Sequence, residues 1–208
     1  MAQLTKPLTD RFDAALAMAS QIHRHQSRKG TEIPYVAHVL GVAVHVLEHG
    51  GSEVQAIAAL LHDAIEDAPA SIGANEVRRQ IKSEFGDAVL AIVEHCTDTD
   101  VQPKPPWVQR KTTYLAHLQT APDDALLVSA ADKLHNVQAL LRDYRAVGEG
   151  LWGRFNKEAG RTGMLGYYRA LVDTFTVRLK NDIVKELETN LEALEAEAHG
   201  PCPWPPRA

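Results

Sequence analysis

Apolar residues recur three and four positions apart along most of the chain, and no convincing run alternates apolar with polar as a half-buried strand would. The pattern predicts an all-α fold, a bundle of about eight or more helices. A first helix starts at Thr9, an N-cap residue, and runs to about His25, where "SRKGTEIP" breaks it with Gly30 and Pro34. The second covers "YVAHVLGVAVHVLEH" and stops at Gly50-Gly51. The third, "SEVQAIAALLHDAIED", stops at Pro69, because proline has no N–H with which to continue a helix. "NEVRRQIKSEF", ended by Gly86, and "DAVLAIVEHCT" are the fourth and fifth. A polar loop, "DTDVQPKPP", leads into the sixth, "WVQRKTTYLAHLQT". "APDD" opens a long seventh helix through "ALLVSAADKLHNVQALLRDYR", and the last strong helix lies within "GMLGYYRALVDTFTVRLKNDIVKELETNLEALEAE".

The third helix is unusual. Val54, Ile57, Ala58, Leu61 and Ile65 form its apolar stripe, and His62, Asp63, Glu66 and Asp67 sit beside that stripe, 62/66 and 63/67 each one turn apart. Carboxylates crowded against a core repel one another and lose hydration, so a compensating cation is the economical explanation. Two further residues of ligand type occur on helices that read as buried. His38 lies in "YVAHVLGVAV", apolar nearly all round, and Asp132 in "LLVSAADKLHNV", where Ser129, Ala130 and Ala131 permit close helix approach. Two histidines and two aspartates without thiolates suit manganese(II), iron(II) or zinc, manganese being favoured, with positions left for water and substrate. Singly, each residue reads as a satisfied core or surface group; the combination points to a metal.

Composition narrows the function. The 208 residues are 45% hydrophobic and 24% charged, an ordinary globular range, and the net charge of -5 argues against nucleic acid or an anionic membrane surface as the main partner. Cys96 and Cys202 are too far apart for a Cys-x-x-Cys pair, which suits a reducing cytoplasm, and the N-terminal stretch has no apolar leader region. Residues 1–185 read as one domain, and 186–208 as a charged helix end followed by a Pro-rich disordered tail.

Four segments together resemble the HD-domain phosphohydrolases, specifically the RelA/SpoT-type hydrolases of the alarmone (p)ppGpp, including the metazoan SpoT homologue. They are "RKGTEIPYVAH", "AALLHDAIED", "FGDAVLAIVEHCTDT" with "PKPPWVQRK", and "SAADKLHNV", in the family's order across residues 9–175. The resemblance implies His38, His62, Asp63 and Asp132 as metal ligands and Glu66 with Asp67 as the acidic pair acting on water. It also implies that Arg28 and Lys29 lie near the base of the nucleotide and Asn136 near its sugar. Val39 stands where the family usually has proline, and "GTEIPY" replaces the usual "SGEPY", which bears on base recognition but leaves the ligands intact. The implied reaction is removal of the 3′-pyrophosphate of ppGpp or pppGpp, by a free-standing hydrolase with no synthetase domain, as monomer or homodimer.

A substrate with so many phosphates needs local positive charge. Arg28, Lys29, Lys104, Arg110 and Lys111 come from two segments able to line one cleft, guanidinium gripping phosphate with two prongs and lysine acting as a point charge. His135 and Asn136 follow Asp132 by about a turn, so Asn136 is placed to meet a ribose or to orient a ligand, while Arg142, Tyr144, Trp152 and Phe155 form either a far wall or ordinary core. The competing readings are an HD-type nucleotidase, which has no need of the basic segments, and a nicotinamide-dinucleotide (NADPH) phosphatase.

Overall fold

A computed structural model describes residues 7–101, 103–155 and 159–206. Gln102 of the expected polar loop, Arg207 and Ala208 of the expected tail, and the first six residues lie outside the described residues. The regular structure is helical: α1 Asp10–Ile22, α2 Val36–Glu48, α3 Glu53–Leu61, α4 Ala74–Cys96, α5 Trp107–Leu118, α6 Asp123–Val147, a 3-10 segment Gly148–Arg154, α7 Gly160–Arg178 and α8 Ile183–Glu197. No strand occurs among the described residues beyond an isolated bridge between Ser27 and Pro34, so the fold is all-α. No described helix is long and apolar enough to cross a membrane. The chain divides into two compact units, Met1–Asp100 and Val101–Ala208.

In the first unit α3 is the central element, packed by α1, α2 and α4. Its residues Ala56 to Leu61 are all fully buried, because alanines on one side let neighbouring helices approach while Ile57, Leu60 and Leu61 fill the space between them. Each such large side chain contributes about 1.5–3 kcal/mol of transfer free energy. Ser52 begins α3 with a capping box, its hydroxyl accepting from the Gln55 N–H and the Gln55 side chain accepting from the Ser52 N–H. Thr9 caps α1, and Glu53 accepts from the Thr9 hydroxyl at 2.8 Å, tying the start of α1 to the start of α3.

The expected fourth and fifth helices lie within the α4 span: Gly86, at φ 84 and ψ 174, is non-helical and separates residues 74–85 from 87–96 at a kink, and the Phe85 carbonyl accepts from the Arg11 guanidinium of α1 at 2.8 Å. The third helix is shorter than its sequence pattern, ending at Leu61 instead of continuing to Pro69; His62 to Asp67 run through successive turns. The physical cause is local: the His62 imidazole donates to the Ala59 carbonyl at 2.8 Å, competing with the backbone for that acceptor.

In the second unit α6 is the long central helix, packed by α7, α8 and the 3-10 segment. Leu165, Leu171 and Phe175 of α7 and Ile183, Leu187, Leu191 and Leu194 of α8 are fully buried. The single last helix expected from the pattern is two, α7 and α8, separated at residues 179–182. Arg178 explains the break: its guanidinium donates to the carbonyls of Leu118, Gln119 and Ala121, committing the end of α7, and Asn181 Oδ1 accepts from the Ile183 N–H at 3.0 Å to start α8. The tail also differs from expectation. Residues 199–206 pack on the unit, with Arg161 donating to the carbonyls of Ala198 at 2.5 Å and Gly200 at 2.7 Å, and Trp204 lying edge-on to Trp107 at 5.6 Å between ring centroids.

Candidate metal centre

The candidate residues fall in both units. In the first, the chain from α1 to α2 folds into a closed loop: the Arg28 N–H donates to the Ile33 carbonyl at 2.8 Å, Thr31 N–H to Arg28 at 3.0 Å, and Tyr35 N–H to Gln26 at 2.9 Å. Gly30, at φ 73, makes the reversal without strain. The loop leaves Lys29 exposed, sets Arg28 half-buried with its guanidinium 5.7 Å from the centre of the Tyr35 ring, and delivers Tyr35 to the start of α2.

One turn into α2, His38 points into the unit, 1% exposed. His62, also 1% exposed, follows the last residue of α3, so its ring and that of His38 meet edge to face with centroids 5.1 Å apart. Asp63 completes the group: its Oδ2 lies 3.0 Å from His62 Nε2 and 3.6 Å from His38 Nε2, and it accepts from the Tyr35 hydroxyl at 2.5 Å. The tautomer of His62 follows from its surroundings. A carbonyl only accepts, so Nδ1 carries the hydrogen that bonds Ala59, and in the neutral ring Nε2 is left with its lone pair towards the carboxylate. A lone pair facing a carboxylate oxygen at that distance is repulsive until a cation stands between them. Two imidazole nitrogens and an aspartate oxygen in that relation, with one histidine held by a backbone carbonyl and the carboxylate held by a phenol, could hold a metal ion. These residues fit a divalent transition metal.

Glu66 and Asp67 stand on the turns that follow, both half-buried. The Asp67 N–H donates to the Asp63 carbonyl at 2.9 Å, and Asp67 Oδ2 accepts from the Gln26 side-chain amide at 2.8 Å. Gln26 in turn takes the Nδ1–H of buried His23 at 2.7 Å. The sequence reading missed Gln26, His23 and Tyr35. The available signal was a histidine one turn before the glutamine at the end of an amphipathic helix, which resembles an ordinary helix end.

In the second unit Asp132 lies on α6, 7% exposed. Its Oδ1 accepts from the Asn136 amide at 2.5 Å and its Oδ2 pairs with the Lys133 ammonium. Burial depresses the pKa of Lys133, but the Asp132 carboxylate and Tyr114, Tyr167 and Tyr168 outweigh it, so the group stays well above the ordinary lysine value and carries its charge. Lys133 also lies over the Tyr114 ring at 5.0 Å, and the Tyr114 hydroxyl shares a 2.6 Å hydrogen bond with Ser129. The basic residues of this unit take different settings. Lys104 is exposed, Arg110 donates to the Pro105 carbonyl at 3.2 Å, and Lys111 lies over the Tyr167 ring at 5.3 Å. Tyr144, Trp152 and Phe155 form a chain of ring contacts at 5.7 and 6.5 Å, with Tyr144 and Trp152 buried, while Arg142 is exposed beside Asp143.

This combination of an all-α scaffold and a histidine–aspartate metal set defines a class, and the comparisons agree: residues 15–164 match the HD domain, and the chain belongs to that family. It is similar to the guanosine-3′,5′-bis(diphosphate) 3′-pyrophosphohydrolase MESH1 of Xenopus tropicalis, 38% identical over 62% of this chain and 72% of the relative. The human protein of the same name is 35% identical over 62% of this chain and 68% of its own length. Among solved structures, one described as a metazoan ortholog of SpoT that hydrolyzes ppGpp and plays a role in starvation responses superposes with a TM-score of 0.68. It is 28% identical and the match covers 93% of this chain and 97% of that one.

Proposed function

We propose that this chain is a metal-dependent hydrolase that removes the 3′-pyrophosphate of ppGpp and pppGpp, giving GDP or GTP and pyrophosphate. The observation that carries the reading is the His38, His62 and Asp63 group, built into a chain 35–38% identical to animal enzymes named for that reaction. Our assignment makes Asp132 the remaining ligand, with Asn136 orienting it beside the ribose. Nitrogen and carboxylate donors without a thiolate suit manganese(II), iron(II) or zinc, and manganese(II) is the ion we assign. A divalent ion held there supplies Lewis acidity towards the phosphoryl oxygen and makes a nearby water easier to deprotonate.

The rest falls to the chain's own side chains. Glu66, with Asp67 beside it, takes a proton from the attacking water; the water oxygen bonds to phosphorus in line, the bond from phosphorus to the ribose 3′ oxygen breaks, and that oxygen leaves as a hydroxyl with the proton that Glu66 took from the water. Arg28 and Lys29 receive the base end of the nucleotide, Arg28 extending the flat Tyr35 surface as a second stacking plane. Lys104, Arg110 and Lys111 offset the more distant phosphate charge. The low cysteine content, two buried residues Cys96 and Cys202, supports a cytoplasmic setting.

The test is to incubate the manganese-loaded full chain with ppGpp and separate the products. Equal amounts of GDP and pyrophosphate are expected. Release of orthophosphate alone, or faster turnover of NADPH or nucleoside monophosphates, would overturn the reading in favour of a phosphatase or nucleotidase.

A further inference from the structure

We infer that His23 and Gln26 are positioning residues that aim the Asp67 carboxylate, through a hydrogen-bonded relay running from the end of α1 to the acidic pair. The inference rests on the hydrolase reading above and deepens it. Asp67 follows α3 on a turn whose main-chain bond to the Asp63 carbonyl fixes the backbone but not the carboxylate, which takes its support from elsewhere. Gln26 provides it, donating from Nε2 to Asp67 Oδ2 at 2.8 Å. The orientation of the amide follows: an ionised carboxylate only accepts, so the amide nitrogen must face it, and Oε1 faces His23 Nδ1 at 2.7 Å. That oxygen accepts, so Nδ1 carries the hydrogen. The two hydrogen bonds therefore link the orientation of the Asp67 carboxylate to the tautomer of His23, two residues away in the relay.

Two observations separate this from loop packing. The loop is already closed by main-chain bonds, Gln26 N–H to the His23 carbonyl at 3.1 Å and Tyr35 N–H to the Gln26 carbonyl at 2.9 Å, so the Gln26 side chain is surplus to folding there. His23 is 1% exposed, and its Nε2 has no hydrogen-bond partner among the described residues. A residue present only to fill that space would be apolar, since a buried ring nitrogen without a partner is unfavourable. The ring instead packs tilted against Tyr35 at 4.9 Å between centroids, which holds Nδ1 on Gln26. Tyr35 also bonds Asp63, so one aromatic ring braces both the ligand and the relay.

The experiment measures kcat and KM for ppGpp, bound manganese and melting temperature in the wild type, Gln26→Ala, Gln26→Glu and His23→Phe. Gln26→Ala should lower kcat about tenfold while KM stays within about twofold, with metal content and melting temperature unchanged, the size typical of lost outer-layer support. Gln26→Glu has the same shape but sets a carboxylate against Asp67, so it should lose at least as much; a merely space-filling Gln26 would tolerate it. His23→Phe keeps the stacked ring and removes the donor, and gives a further reading should Gln26→Ala unfold. A kcat within about threefold of wild type in both Gln26→Glu and His23→Phe overturns the relay, because a carboxylate aimed at the reacting water contributes on the order of 10²- to 10⁴-fold. A wild type that releases no pyrophosphate from ppGpp overturns instead the reading on which the relay rests.

Discussion

The Tyr35 hydroxyl donates to Asp63 Oδ2 across 2.5 Å, and that same oxygen faces the Nε2 atoms of both His38 and His62. The phenol is thus placed where it fixes the direction of a carboxylate that we assign as a metal ligand.

Removing the ligand and removing its brace should therefore differ in degree. His62→Ala is expected to lose nearly all bound manganese, as measured by elemental analysis of dialysed protein. Tyr35→Phe keeps the ring against His23 and His38 and deletes only the hydroxyl, so affinity should fall about 10-fold with the melting temperature held. Wild-type metal content in His62→Ala would remove the metal centre altogether.

Glu66→Gln should leave metal and fold intact and cut turnover on ppGpp by about 10²-fold or more, since glutamine keeps the shape of the side chain and removes its proton affinity. The measurement is kcat on metal-saturated protein. Near-normal turnover would reduce Glu66 to a polar residue on a turn.

Much of this centre was legible because charge in an apolar stripe is costly and therefore conspicuous. His62 and Asp63 could be singled out from residue type and spacing alone, and His38 from the apolar helix around it. The relay could not: His23 and Gln26 look like any polar helix end until Asp67 and Tyr35 arrive from other parts of the chain. The early end of α3 was hidden for a related reason, because apolar periodicity continues through Ile65 while the His62 side chain takes the Ala59 carbonyl. The break between α7 and α8 contains neither glycine nor proline and depends on Arg178 reaching carbonyls of residues 118, 119 and 121.

The tail shows the limit of composition most directly, and it can be tested. Proline-rich and polar, "HGPCPWPP" reads as disordered, yet Pro203 runs so close to α7 that a Cβ on Gly166 would sit 2.5 Å from its carbonyl oxygen. Alanine in place of a helical glycine ordinarily gains about 1 kcal/mol, whereas overpacking against backbone costs about 1–3 kcal/mol, so the clash should prevail. Gly166→Ala is expected to lower the melting temperature by a few degrees and to make the last ten residues sensitive to limited proteolysis. A raised melting temperature with an uncut tail would mean that the segment is not held there.

Substrate choice should reside in the loop after α1. The turn holding Arg28 is closed by main-chain bonds to Ile33 and Thr31, so truncating the side chain leaves the loop in place and removes only the guanidinium above Tyr35. A hydrogen bond to a charged group is worth about 1.5–3 kcal/mol, which corresponds to roughly 10- to 150-fold in affinity. Arg28→Ala should accordingly lower kcat/KM for ppGpp by at least about tenfold, while bound manganese and hydrolysis of a small generic phosphodiester stay at wild-type values. The paired assay separates recognition from chemistry, because metal and acidic pair act on any phosphoryl group whereas a stacked guanidinium acts only on a ligand with a base or several charges to offer. Equal losses on both substrates would place Arg28 in support of the metal centre rather than in contact with the nucleotide.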